Sequence, residues 1–401
     1  MKSPIILLTI ALFSCVLFTN CTKETAALAP TAIVTNTTLS DSTSRGNSST
    51  TSNETTEFVE LVQETMEKQH IPALSALIFD TDKIVYEGYF GQSNIAQNKA
   101  LQEDHLFLLA SVSKVVTATA LLQLYEKGHF KLNDPINDYL DFEVTVPGYT
   151  KAITFQMLLT HTSGIADGAS MDDEYYYGKD SPVALDNYLE NYLTPNGRYY
   201  DERDNFHNFQ PGSEHEYSNI GTALMGVLVE EITGMNFSDY CQQYIFMPLG
   251  MRHTAWRLST IDDFIVQPYD YYRGNYEAIG HYTFTDYPNG GLRSTARDLF
   301  QFLSAFVQGG TVGNYQLLKS STIKRMTTLQ IPTVDESMGL HLFQLDQEEN
   351  LWGHDGGEQG VATIMAFSPD TKVGVILLAN QGEADLEELL MEAYFVVRNS
   401  N

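Results

Sequence analysis

Hydrophobic and polar positions divide this chain into regions of different character. An apolar run over residues 5–18, behind Lys2, is too short to span a bilayer comfortably and has the form of a secretory signal core. Residues 22–56 then hold 17 Ser or Thr in 35 positions with almost no large apolar side chain, so nothing there offsets the entropy of ordering. The pattern predicts a signal peptide over 1–20 and a flexible tether over 21–56. Helical spacing begins at Glu57, with Phe58, Leu61, Val62 and Met66 on one face, and stops at Pro72.

Two β-rich runs, 74–79 and 84–89, flank Asp80, Thr81, Asp82 and Lys83, a hairpin signal. Three more runs, 340–345, 361–367 and 373–379, lie near the other end, the last two joined across Ser368, Pro369, Asp370 and Thr371. Residues 383–397 have the spacing of a closing helix, whereas 131–282 carry helical and loop signals with little strand alternation. The expectation is an α/β (α+β) fold: an antiparallel sheet of about five strands flanked by helices, formed by 57–130 and 283–399. A mainly helical lobe over 131–282 interrupts it, and the folded body runs over 57–399. No internal repeat is present.

Composition narrows the functions open to such a fold. Of 401 residues, 43% are apolar and 18% charged, with 23 Tyr and 21 Phe, enough to bury a substantial core. A formal charge of -28 repels phosphate backbones, so nucleic acid is excluded as a partner. Three cysteines without a CxxC provide neither a zinc site nor a disulfide framework, and Cys241 reads as a small buried residue. Cys21 stands where the apolar run turns polar, in a context that resembles a bacterial lipoprotein processing site, although Asn20 departs from the usual small residue. Cys15 is the alternative, but it leaves apolar sequence behind the cut. The expected location is the cell envelope, with membrane contact only through an N-terminal lipid.

The chemistry concentrates in three short segments. Ser111, Val112, Ser113 and Lys114 precede a helix-compatible run ending at Lys127 and Gly128, and residues three apart on a helix share a face. A serine needs a base to attack near neutral pH, and a lysine serves when burial or a neighbouring cation lowers its pKa. Tyr217, Ser218 and Asn219 place a phenol and a carboxamide two residues apart, able to face one site from an extended loop. His354, Asp355, Gly356 and Gly357 supply a cation-capable side chain beside small residues that let a backbone approach a ligand. The alternative chemistries are weaker. His215 and Glu216 begin a zinc-protease pattern whose second ligand position is Asn219, and no Gly-rich phosphate loop occurs. His161 reads as a turn residue, and the clusters Tyr175, Tyr176, Tyr177 and Tyr199, Tyr200 as cleft lining or loop packing.

In this order the three segments resemble the serine β-lactamase-like superfamily, in its branch of class C β-lactamases, DD-carboxypeptidases and esterases. The resemblance runs from 57 to 399. It is reinforced by Leu158, Leu159, Thr160, His161, Thr162, Ser163 and Gly164, by Pro248, Leu249, Gly250 and Met251, and by Gly290, Gly291, Leu292, Arg293, Ser294 and Thr295. It implies a β-lactamase/transpeptidase-like fold, Ser111 as nucleophile, Lys114 and Tyr217 sharing acid and base work, and Asn219 contacting the substrate amide. His354, Gly356 and Gly357 also belong to the substrate site, with the amides of Ser111 and Gly357 as oxyanion hole. No cofactor or metal is implied. His354 stands where efficient class C enzymes carry lysine, which points to a small or short-peptide substrate, a D-amino-acid peptide or an ester, with weak or no β-lactam turnover. The runner-up is a catalytically weak penicillin-binding or cell-wall-peptide-sensing protein.

Overall fold

The structure, a computed structural model, describes residues 48–398. The expected signal peptide, both candidate lipidation cysteines Cys15 and Cys21, and the tether up to residue 47 lie outside the described residues. Helix α1, Ser48–Lys68, starts nine residues ahead of the periodic pattern. Its first two turns are Ser, Thr, Asn and Glu, which carry no apolar period, so the pattern alone sets the start too late.

The main sheet is antiparallel throughout. Its strands are β1 (Ala73–Asp80), β2 (Lys83–Asn94), β3 (Lys99–Ala100), β4 (Phe343–Asp346), β5 (Leu351–Glu358), β6 (Val361–Phe367) and β7 (Val373–Ala379). They lie side by side in the order β4-β5-β6-β7-β1-β2-β3. The chain's two ends meet at the centre, where β1 pairs with β7 in the register Leu77↔Ile376. The expected count of about five is therefore corrected to seven. The omitted strands are the short edge β3 and, more consequentially, β5, whose Gly353, His354, Asp355, Gly356 and Gly357 have little β-propensity. Pairing to β6 in the register His354↔Met365 and Gly356↔Thr363 overrides that local preference.

Both faces of the sheet are covered, so the central strands read as near-continuous apolar runs. Leu74, Ala76 and Ile78 of β1 and Val375 and Leu377 of β7 face Phe58 and Val62 of α1 and Leu389, Leu390 and Tyr394 of helix α5 (Glu387–Arg398). The alternate positions, Leu77, Phe79, Ile376 and Leu378, join a second core. That core also contains helix α2 (Ser113–Glu126), helix α3 (Asn219–Thr233) and helix α4 (Ala296–Val307). Every residue from Ser113 to Leu124 of α2 is buried, so the helix is enclosed by the core on all sides. The helix α3 ends at Gly234, whose φ of 68° supplies the left-handed stop. The region 131–282 also contains short strands, and the expected boundary at 282 falls inside one of them, Tyr282–Phe284, paired with Tyr175–Tyr177.

Candidate active site

Ser111 lies in a 3-10 turn, Ala110–Val112, that feeds directly into α2. Ala110 holds a φ of 47°, a left-handed conformation that costs a non-glycine residue about 1–2 kcal/mol. Neighbours over-determine it. Leu109 N donates to Leu292 O at 2.8 Å, and Thr363 Oγ1 donates to Leu109 O at 2.7 Å. The kink leaves Ser111 half-buried at the mouth of a buried helix, whereas Ser113 is fully buried and accepts from Leu292 N at 3.2 Å. Only the first of the two serines is open to a substrate.

One turn further on, Lys114 is 0% exposed. Its Nζ lies 3.1 Å from Ser111 Oγ, 2.6 Å from Asn219 Oδ1 and 2.7 Å from Asn289 O. Burial pushes this amine down to about 7, against the opposing pull of Asp167, Asp286, Glu358 and Asp355. A large share is therefore free base at neutral pH, when its two hydrogens have two carbonyl acceptors and its lone pair is left for the Ser111 hydroxyl. Asp286, also buried, is pushed up to about 7. Its carboxylate and carbonyl accept from Asn289 Nδ2 at 2.6 and 2.7 Å. Thr117 Oγ1 donates to Pro288 O at 2.6 Å, which ties this turn to α2 and aims the Asn289 carbonyl at the amine.

Tyr217 comes from the extended segment before α3, and Asn219 is the first residue of that helix. The two groups expected from one loop thus come from a loop and a helix start. Ser218 caps α3, accepting from Gly221 N at 2.8 Å. Lys114 Nζ sits 4.9 Å from the centroid of the Tyr217 ring. Burial drives the phenol well above its ordinary value, and a hydrogen bond with Ser111 opposes that shift only in part. Tyr217 is accordingly a neutral proton donor next to the nucleophile.

Strand β5 brings the third segment against the first. A Cβ on Gly356 would meet Leu109 O at 2.6 Å and Ser111 N at 3.0 Å, so glycine is what lets the strand pass beside the Ser111 amide. At Gly357 a Cβ would meet nothing within 4 Å, and the residue is exposed. His354 departs from expectation. It is 2% exposed, with Nδ1 2.6 Å from the Asp355 carbonyl. A carbonyl only accepts, so Nδ1 carries a proton, and Nε2 is buried with no hydrogen-bond partner among the described residues. Burial outweighs Asp355 and lowers the imidazole's pKa, and Lys114 adds to the lowering. Burial thus works against the charged form of the cation-capable group expected here.

Two further histidines, His161 and His341, stand behind Tyr217. His161 stacks on His341 at 4.5 Å between centroids and lies 4.5 Å from the Tyr217 ring. His161 Nδ1 accepts from Ser218 N at 3.2 Å, and its φ of 52° makes the turn that delivers the Tyr217 segment. His341, which no sequence pattern singles out, is held between Leu159 O and Thr222 Oγ1 at 3.0 Å each. Burial lowers the pKa of both, that of His341 to about 3. Asp167 is the other residue missed. Its carboxylate accepts from the Asn219 and Ile220 amides at 2.9 and 3.0 Å, across 52 and 53 positions of chain. Neither distance in sequence offers a local signal for the pairing.

The model of a family described as Beta-lactamase matches residues 58–394. Penicillin-binding protein 4* of Bacillus subtilis (strain 168) is 27% identical over 348 residues, covering 82% of this chain and 73% of its own. Protein flp of Staphylococcus aureus (strain MW2) is 23% identical over 340 residues, covering 80% of this chain, while this chain spans 62% of flp. A solved structure, the D-amino acid amidase from Ochrobactrum anthropi SV3 complexed with L-phenylalanine amide, superposes with a TM-score of 0.68 at 21% identity. That match covers 87% of this chain and 99% of the amidase.

Proposed function

This chain belongs to the Beta-lactamase family, and from that premise we propose that it is a serine hydrolase forming an acyl-enzyme at Ser111 with a small ester or amide, D-amino-acid derivatives included. The observation that carries the reading is the buried Lys114 amine, 3.1 Å from Ser111 Oγ with carbonyl acceptors for its remaining hydrogens. As Oγ bonds to the substrate carbonyl carbon, its proton passes to Lys114 Nζ, and the carbonyl oxygen takes up charge between the amides of Ser111 and Gly357. The bond to the leaving group then breaks, and Tyr217, a neutral phenol relayed through Lys114, supplies that group with a proton. Water repeats the sequence on the acyl-enzyme, with the same groups in reversed roles, and frees the acid.

The buried His354 sets the preference among substrates. A buried imidazole is disfavoured as a cation, so a substrate carboxylate gains little charge attraction at this position. Neutral esters and amides are therefore favoured over peptides ending in a free carboxylate and over β-lactams. The test is kcat/KM for four probes: a nitrophenyl ester, a D-amino-acid amide, an acyl-D-Ala-D-Ala peptide and a penicillin. The expected order puts the first two ahead, and a leading peptide or penicillin would overturn it.

The cell-envelope location is part of the same proposal, with lipid on Cys21 as the anchor. Among the described residues no helix is long and apolar enough to cross a membrane. Cys21→Ser should move the protein from the membrane to the soluble fraction; unchanged fractionation would remove Cys21 from the account.

A further inference from the structure

Resting on the serine hydrolase reading, we infer that Asp167 is a positioning residue that locks the Asn219 carboxamide in one orientation and so aims the Lys114 lone pair at Ser111.

The Asn219 amide sits between the Asp167 carboxylate, 2.9 Å from Nδ2, and the Lys114 amine, 2.6 Å from Oδ1. A carboxylate only accepts, so the amide presents its NH2 to Asp167 and its oxygen to Lys114. Turning it over would set Oδ1 against a carboxylate oxygen. It would also present an N–H to the amine's lone pair, in competition with the Ser111 hydroxyl. Asp167 forbids that arrangement. With Asn219 Oδ1 and Asn289 O each accepting one hydrogen of the free amine, the lone pair has one remaining direction, toward Ser111 Oγ at 3.1 Å.

Asp167 is itself held firmly. Beyond the Asn219 side chain it accepts from Asn219 N at 2.9 Å, Ile220 N at 3.0 Å and Ser218 Oγ at 3.3 Å. These bonds satisfy two of the free amides at the start of α3, where the helix dipole also favours a negative charge. The backbone on either side of Asp167 is clamped by one phenol: Tyr192, 0% exposed, donates to Ala166 O at 3.0 Å and accepts from Gly168 N at 2.5 Å. Several titratable groups besides Asp167 face Lys114. They are Asp286 from the turn before Asn289, Asp355, Glu358 and His354 from β5, Tyr217 and His161 from the loops before α3, and His341. Asp167 heads the attractions that hold the amine's pKa up, so its loss lowers that pKa.

The experiment is pre-steady-state acylation by a nitrophenyl ester across pH, where the burst amplitude counts competent sites and the rate constant is read per site. Asp167→Asn keeps the shape but can donate as well as accept, so it releases the Asn219 amide. The expected result is acylation slowed by about 10- to 100-fold with little change in KM, and an acid limb displaced to lower pH. Ser218→Ala, which removes a cap and one bond to Asp167 but leaves the amide locked, should lower the unfolding midpoint without moving the limb or the rate per site. If Asp167→Asn fails to fold, Asp167→Glu carries the test: the charge is kept and displaced by one carbon, so the limb stays in place while acylation slows. A wild-type rate and limb in the folded variant would overturn the inference. No ester turnover and no acyl-enzyme in the wild-type protein would overturn the hydrolase reading instead, and the inference would fall with it.

Discussion

Lys114 shows at the scale of one residue how burial makes a base. An exposed lysine is protonated almost entirely at neutral pH, and desolvation, against the pull of the surrounding carboxylates, brings this one to about 7. Because the free amine is the active form, kcat/KM for a neutral ester should rise with pH through about 7 and then level. Lys114→Met should lower it by about 10²- to 10⁴-fold. The same shift has a stability consequence with a definite sign. Between about 7 and the ordinary lysine value near 10.5 the unfolded chain binds the proton that the folded chain has lost, so stability rises with pH across that window. Below it the native state buries an ammonium, and Lys114→Met removes that cost. Urea unfolding at pH 6 and pH 9 should show the wild type gaining stability where the variant gains less. His354 yields a second test at this scale. A neutral imidazole predicts the same pH profile of kcat/KM for a matched anionic and neutral substrate, and divergence near pH 6.5 would restore it as a cation.

At the scale of elements, strand β5 and the turn before α2 form one unit. Gly356→Ala would push a methyl into Leu109 O and Thr363 Oγ1, at 2.6 and 2.5 Å, so it should displace the Ser111 amide. Acylation should fall by more than about 100-fold, with about 1–3 kcal/mol lost from stability. Gly357→Ala, whose methyl meets nothing, should fold normally and lose far less activity; equal effects of the two substitutions in burst kinetics and thermal melts would contradict this geometry. The contrast also marks what was legible beforehand. The central strands β1, β6 and β7 were readable because both faces are buried and their sequences are almost wholly apolar. Strand β5 was not, since its sequence is dictated by the nucleophile beside it and not by the ladder it joins. The positions of Ser111, Lys114, Tyr217, Asn219 and His354 were visible as motifs. The burial that disfavours a charged His354 was not, because it comes from the elements packed around β5. Asp167 and His341 were invisible for a different reason, since their partners lie 50 or more positions away.

At the scale of the whole folded body, the sheet and the helical lobe share one core. Leu77 and Phe367 from the sheet belong to the same buried cluster as Tyr188, Leu224 and Phe237 from the lobe, with α2 between them. The lobe is therefore not an independent folding unit, and tyrosine fluorescence and far-UV circular dichroism should report coincident urea transitions; a separate earlier transition would contradict the shared core. The site depends on that union, because Lys114 takes one acceptor, Asn219, from the lobe and the other, Asn289, from the turn leading back to the sheet. The central claim is that these elements converge to make Ser111 the nucleophile. Intact-protein mass spectrometry after a brief exposure to a nitrophenyl ester, followed by peptide mapping, tests it most directly. The account predicts one acyl group, on Ser111, absent from Ser111→Ala, which should remain folded and lose nearly all turnover. An acyl group on Ser113 or elsewhere, or an alanine variant that still turns over, would contradict it.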